Sequence, residues 1–222
     1  MKHLLNSGTG RPLMSPLALQ EGIASLSRGA FLKEAPLDMM LSILTEAAAE
    51  KSGVERVSIW ALNDEHQELV CLDVYEMSWK RHGKGESLLA RQYPSYFRAL
   101  HAGQSIAADD AYIDPMTTEF VAHYLPGHDV RAKLDMPIHI RGELQGVLCL
   151  EQVGSSQPWS SAHVLFAQAL ANLVTLAFVE HEADEARRQA QAASDRLKAI
   201  FDASREATAG LGIRGMALAA GR

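Results

Sequence analysis

The chain has 222 residues, enough for one ordinary domain with flanking segments or for two small domains. Hydrophobic residues make up 47% and charged residues 22%, the balance of a soluble globular protein, while a formal net charge of -6 disfavours nucleic acid, which needs a concentrated basic face. No run reads as a bilayer span, the N-terminus lacks a secretory pattern, and two cysteines are too few for a disulfide framework, so the chain is expected in the cytoplasm.

In chain order, residues 1–15 hold Ser7-Gly8-Thr9-Gly10 and Pro12 and read as a flexible lead-in. Leu17 to Leu32 fits a helix moderately. Pro36 opens a better one, with Leu37, Met40, Leu41, Leu44 and Ala48 on one face and Lys51-Ser52-Gly53 at its end. Arg56–Leu62 and Glu68–Tyr75 are β-branched, aromatic runs joined by Asn63-Asp64-Glu65-His66, which predicts an antiparallel pair. Ser78–Glu86 is polar and reads as a loop. Pro94 opens a short helix to His101, Ser105–Ala108 is a short strand, and Asp114-Pro115 introduces a second short helix through Tyr124. Pro126-Gly127-His128-Asp129 reads as a break. A second hairpin follows, Ala132–Ile140 and Leu144–Gln152 about Arg141-Gly142-Glu143. Cys71 and Cys149 both fall inside strand-like apolar runs and are expected to be small buried hydrophobes.

Ser160 or Ser161 caps a very long helix. Val164, Leu165, Ala167, Leu170, Ala171, Val174 and Phe178 suit packing on a sheet. From Leu176 a seam runs by threes and fours through Val179, Ala183, Ala186, Ala190, Ala193, Leu197, Ile200, Ser204 and Ala207, the pattern of a coiled coil over residues 181–208. Its alanines bury little area, so pairing through them alone is weak. Residues 209–222, rich in glycine and small residues, read as a disordered tail.

The order of elements is that of an α/β sensor domain. Arg56-Val57-Ser58-Ile59-Trp60, Tyr93-Pro94-Ser95-Tyr96-Phe97, Ala108-Asp109-Asp110-Ala111-Tyr112, Leu134-Asp135-Met136-Pro137-Ile138, Gly142–Glu151 and Trp159-Ser160-Ser161 come in the order and spacing of GAF domains of bacterial signalling proteins. The chain resembles that family over about residues 36–180. The resemblance implies an α+β, PAS-related fold: a central antiparallel sheet of five to six strands, flanked by helices, spanning 16–180 and followed by a long C-terminal helix. It also implies an output partner such as a histidine kinase or a diguanylate cyclase, in the manner of two-component systems. Leu197–Ser204 is similar to the start of a PAS domain, so the chain is expected to be either a fragment of a longer sensor or a short product of a longer ancestor.

In the resembling family the pocket lies between the sheet and the short helices of residues 90–130. This places Tyr93, Tyr96, Asp109, Asp110, His123, Tyr124 and Asp135 as candidate ligand-binding groups. Read singly, the two tyrosines are equally core aromatics, and the two aspartates equally turn caps. Phe120 stands where bilin-bearing relatives place a nucleophilic Cys, so covalent bilin is not expected. Nor are a cyclic-nucleotide signature, the several thiols of a methionine sulfoxide reductase, or a compact metal-ligand spacing present. The cofactor is therefore left unknown. The expected function is that of a sensory module, not an enzyme, which binds a small ligand or partner and acts as a homodimer through its C-terminal helix. The alternatives are a ligand-free dimerisation scaffold and a small redox enzyme.

Overall fold

The computed structural model describes residues 14–29 and 35–219, with side chains over 14–27 and 35–205. The expected flexible lead-in therefore lies almost wholly outside the described residues. The chain divides into two compact units, Met1–Val179 and Glu180–Arg222. The first holds helices α1 (Pro16–Gly29), α2 (Leu37–Ser52), α3 (Pro94–His101) and α4 (Tyr124–His128). Its strands are β1 (Arg56–Leu62), β2 (Glu68–Glu76), β3 (Arg81–Gly83), β4 (Ser87–Leu89), β5 (Ile106–Ala108), β6 (Val130–Ile140) and β7 (Glu143–Val153). Helix α5 (Ser161–Ala219) begins in the first unit and makes up the second.

The strands form one antiparallel seven-stranded sheet in the order β3-β2-β1-β7-β6-β5, with β4 also on β2. Three signals in the sequence act as expected. Gly53 ends α2 in the left-handed region (φ 76), and its N–H donates to the Ala49 carbonyl at 2.9 Å. Asn63 Oδ1 accepts from the Gln67 and Glu68 amides and shapes the β1–β2 turn. Arg141 (φ 55) and Gly142 (φ 87) make the two-residue turn of the β6–β7 hairpin.

Four expectations need correction. The polar stretch read as a loop over Ser78–Glu86 contains β3 and leads into β4, three-residue strands captured by the free edge of β2. The Pro126-Gly127 break lies within α4, because Pro is tolerated in a helix's first turn; Asp129 (φ 50) ends that helix. The residues just before it, 118–120, form a 3-10 turn rather than one continuous helix. Residues 209–219, expected as a disordered tail, continue α5.

Each face of the sheet carries its own core. Leu134, Met136, Ile138, Leu148 and Leu150 face α1, α2 and α5, packing with Leu41, Leu44, Phe166, Leu170 and Val174. The alternate positions, Val147 and Cys149, with Trp60 and Cys71, face α3, α4 and the segment between them. The most apolar 18-residue window of α5 is long and apolar enough to cross a membrane by composition, and 39% of it is buried. In the second unit α5 carries an Arg187–Asp184 ion pair at 2.7 Å, with Leu197, Ile200 and Phe201 exposed.

Candidate functional site

The second core face carries most of the buried charge. Antiparallel register places Glu76, Arg56, Glu151 and Lys133 side by side on β2, β1, β7 and β6, a ladder of alternating sign across four strands. Lys133 Nζ donates to Glu151 Oε1 at 2.6 Å, and Arg56 Nε lies 3.4 Å from Glu151 Oε2. The Tyr124 hydroxyl donates to Glu151 at 2.9 Å. Burial alone would raise the Glu151 carboxyl. Lys133 and Arg56, with the bonds from Lys133 and Tyr124, instead hold it below its usual range.

Asp135, two residues along β6 from Lys133, sits 3.4 Å from Lys133 Nζ. Its neighbours are the Tyr96 hydroxyl and the Cys149 thiol, themselves 3.9 Å apart. Neither Asp135 oxygen receives a hydrogen bond of full geometry, and Arg56 Nε and Nη1 also lack one. Burial pushes the Asp135 carboxyl up, against the opposing pull of Lys133. Arg56 and Lys133 thus face Glu151 and Asp135, two buried cations against two buried carboxylates.

Aromatic rings roof this cluster. Phe120 stacks on Tyr93 at 4.3 Å and meets Tyr96 edge-on at 4.8 Å and Tyr124 at 5.6 Å. Lys133 Nζ lies 5.4 Å from the Phe120 ring and 5.1 Å from the Tyr124 ring. The roof is pinned by Glu119, whose carboxylate accepts from the Ser95 and Tyr96 amides at the start of α3. Tyr93 and Tyr96 come from the start of α3, Phe120 from the 3-10 turn, and Tyr124 opens α4.

The structure thus brings four of the seven candidate residues, Tyr93, Tyr96, Tyr124 and Asp135, into one buried cluster. Asp109 lies outside it and accepts from the Trp159 amide at 2.8 Å. Asp110 caps its own turn through the Tyr112 amide at 3.0 Å, and His123 is exposed. Arg56, Lys133 and Glu151 were missed, although a charge beside apolar strand residues, as in Ala132-Lys133-Leu134, was the available signal.

A profile of the GAF domain matches residues 36–178. The chain belongs to the GAF domain family. None of the curated proteins searched matches this GAF chain. Among solved structures it is similar to the GAF domain of a phosphoenolpyruvate-protein phosphotransferase from Coxiella burnetii (18% identity, 78% of this chain, 99% of that one, TM-score 0.60). It is also similar to free methionine-R-sulfoxide reductase from Neisseria meningitidis in complex with its substrate (15% identity, 82% and 99% coverage, TM-score 0.62). A third is the phycocyanobilin-bound GAF domain of a cyanobacterial phytochrome (15% identity, 77% and 97% coverage, TM-score 0.60). At these identities the likeness establishes the GAF fold.

Proposed function

We propose that this GAF domain is a cytoplasmic sensory module whose ligand binds at the Lys133–Asp135–Glu151 cluster beneath the Phe120 roof, and whose C-terminal helix carries the response in a homodimer. The observation that supports this reading is the incompletely bonded buried charge of Asp135 and Arg56 under rings held by short segments. A ligand offering donors to Asp135 or acceptors to Arg56 exchanges one set of partners for another. Its differential affinity for open and closed roofs is then what moves an equilibrium. The output is a partner such as a histidine kinase or diguanylate cyclase, reached through the coiled-coil seam from Leu176 to Ile200.

The module acts by binding rather than catalysis. Burial pushes the Cys71 thiol up to about 12 and the Cys149 thiol well above its usual range, which leaves little thiolate for redox chemistry. Two free buried thiols also suit a reducing compartment. Native mass spectrometry of protein purified from its source cell tests the reading. A stoichiometric small molecule, released by Asp135→Asn but not by a surface control, is the expected result. A protein that never carries or takes up a ligand at this site is a dimerisation scaffold instead.

A further inference from the structure

The two edges of the sheet are finished differently. On the β5 edge, Trp159 Nε1 donates to the Ala108 carbonyl at 3.2 Å and the Trp159 amide to the Asp109 carboxylate at 2.8 Å, so part of that backbone is already bonded. On the β3 edge, Arg81–Gly83 pair with β2 on one side, and among the described residues no backbone bond reaches the other side. An open edge is a template for a further strand, and proteins commonly blunt it with charge. Lys80, Arg81 and Lys84 supply charge here, but blunting has no use for the ring beside them. Trp79 is 73% exposed.

That exposure is held in place. The Met77 amide donates to the Glu55 carbonyl at 2.9 Å, and the Ser78 amide and hydroxyl donate to the Glu55 carboxylate at 2.8 Å each. The Lys80 amide closes the turn on the Met77 carbonyl at 3.3 Å, with Lys80 in the left-handed region (φ 46). The Arg81 guanidinium lies 5.9 Å from the Trp79 ring centroid. A large ring on a fixed turn has met in advance much of the ordering cost of binding, and Trp and Arg are frequent anchors of protein interfaces. Arg81 pairs with Glu76, whereas Lys80 and Lys84 are exposed and have no ion pair among the described residues. The complement of this edge is therefore negative.

We propose that the β3 edge is a docking site for an extended, acid-rich segment of a partner protein. The segment adds a strand beside Arg81–Gly83, sets carboxylates against Lys80 and Lys84, and lays an apolar side chain on Trp79. Main-chain bonds supply affinity, and the cations and the ring select the sequence. A lipid surface would use the ring and the cations but not the edge. The proposal is independent of whether the buried Lys133–Asp135–Glu151 cluster takes a ligand.

A display library of random short peptides, selected on the full-length chain, tests it. Enriched peptides should alternate Asp or Glu with apolar residues. On titration with one of them, the amides of Arg81–Gly83 should shift in NMR spectra and exchange more slowly. Lys80→Glu with Lys84→Glu should weaken binding by about tenfold or more, and Trp79→Ala likewise. Circular dichroism checks that these exposed substitutions leave the fold intact. N-methylation of alternate peptide amides removes edge hydrogen bonds without changing charge and should abolish binding. A library that yields no acid-rich sequence, or one that maps elsewhere, overturns the proposal. So does full affinity after N-methylation on either set of alternate amides. Unchanged affinity in Trp79→Ala reduces the charges to protection of the edge and overturns it too. Binding of phosphatidylserine vesicles through Trp79, with no peptide selected, replaces it with a lipid surface.

Discussion

Replacing Lys133 with Met removes the cation at the end of the charge ladder, leaving Glu151 to Arg56 and Asp135 without its cation. Lys133 Nζ lies 2.6 Å from Glu151 and 3.4 Å from Asp135, and all three side chains are at most 1% exposed. Removing one partner of a buried pair costs about 3–5 kcal/mol, because the remaining charge stays out of water. Met keeps much of the Lys volume, so a cavity adds little. Urea unfolding at pH 7 should therefore show a lower midpoint, with the m-value unchanged. The pH dependence follows from the same charges. Without Lys133, burial holds the Asp135 carboxyl still further above its unfolded value, so ionising it opposes folding as pH rises. The penalty is then largest near neutrality and shrinks on acidification toward the folded value. Lys133→Met with Asp135→Leu restores a balanced Arg56–Glu151 pair and should recover more than half of the loss. A loss below about 1 kcal/mol, the range of an exposed pair, or a penalty that grows on acidification, refutes the assignment of a buried charge network.

Gly146 pairs with Ala61 in the β1–β7 ladder, and a Cβ there would stand 2.1 Å from the Trp60 carbonyl oxygen. Gly146→Ala must spread two central strands and should cost about 3 kcal/mol or more by thermal unfolding; a fully stable variant contradicts the packing. His163, in the first turn of α5, accepts the Ser160 amide at Nδ1 (3.1 Å) and contacts the Ser160 hydroxyl at 2.7 Å. Burial lowers its pKa against the opposing influence of the Met14 backbone, so the unfolded chain takes up a proton first, and stability falls as pH drops through about 6.5. His163→Asn keeps an acceptor without the titration and should flatten the slope of unfolding free energy between about pH 7.5 and 5.5; equal slopes reject the idea. Cys71 and Cys149 should react with a disulfide reagent orders of magnitude more slowly in the native protein than in urea, and fast native labelling of either would restore the redox reading.

What was legible in the sequence was what periodicity and turn chemistry write locally. Pro36 and Gly53 bracket α2, Asn63 shapes the first turn, and Arg141-Gly142 the second hairpin. The strands β3 and β4 were not legible, because segments of only three residues gain their pairing from the edge of β2 and are too short to show an alternation of their own. Within the site the aromatics were readable, since a Pro-led short helix beside apolar strands offers them an inner face. The charges were not. In an antiparallel strand, alternate polar residues are by default the wet face. Lys133 and Glu151 become interior only because α3, α4 and the segment between them cover the side of the sheet that the long helices leave free.

Two buried aspartates show why the charge on that side is read as functional. Asp73, on β2, receives the Ser42 hydroxyl at 2.8 Å and the Thr45 hydroxyl, with His82 Nδ1 at 3.1 Å; its oxygens are satisfied by α2 and β3. Such a group holds a helix to a sheet and has nothing left to offer. Asp135 is more deeply buried and has an ammonium at 3.4 Å, yet neither oxygen has a well-directed donor. Apolar side chains in place of such a network commonly leave a protein as stable or more so, so stability alone does not account for Arg56, Lys133, Asp135 and Glu151 beneath the rings. An incompletely bonded carboxylate does favour an incoming donor, because a well-directed bond then replaces the poorly directed contacts from Lys133, Tyr96 and Cys149. On the proposed reading a donor bound at Asp135 lies beneath Phe120, whose ring touches Tyr93, Tyr96 and Tyr124 together. Under that proposal, seating a ligand at Asp135 would repack the whole roof and so convert a local bond into a change of core packing.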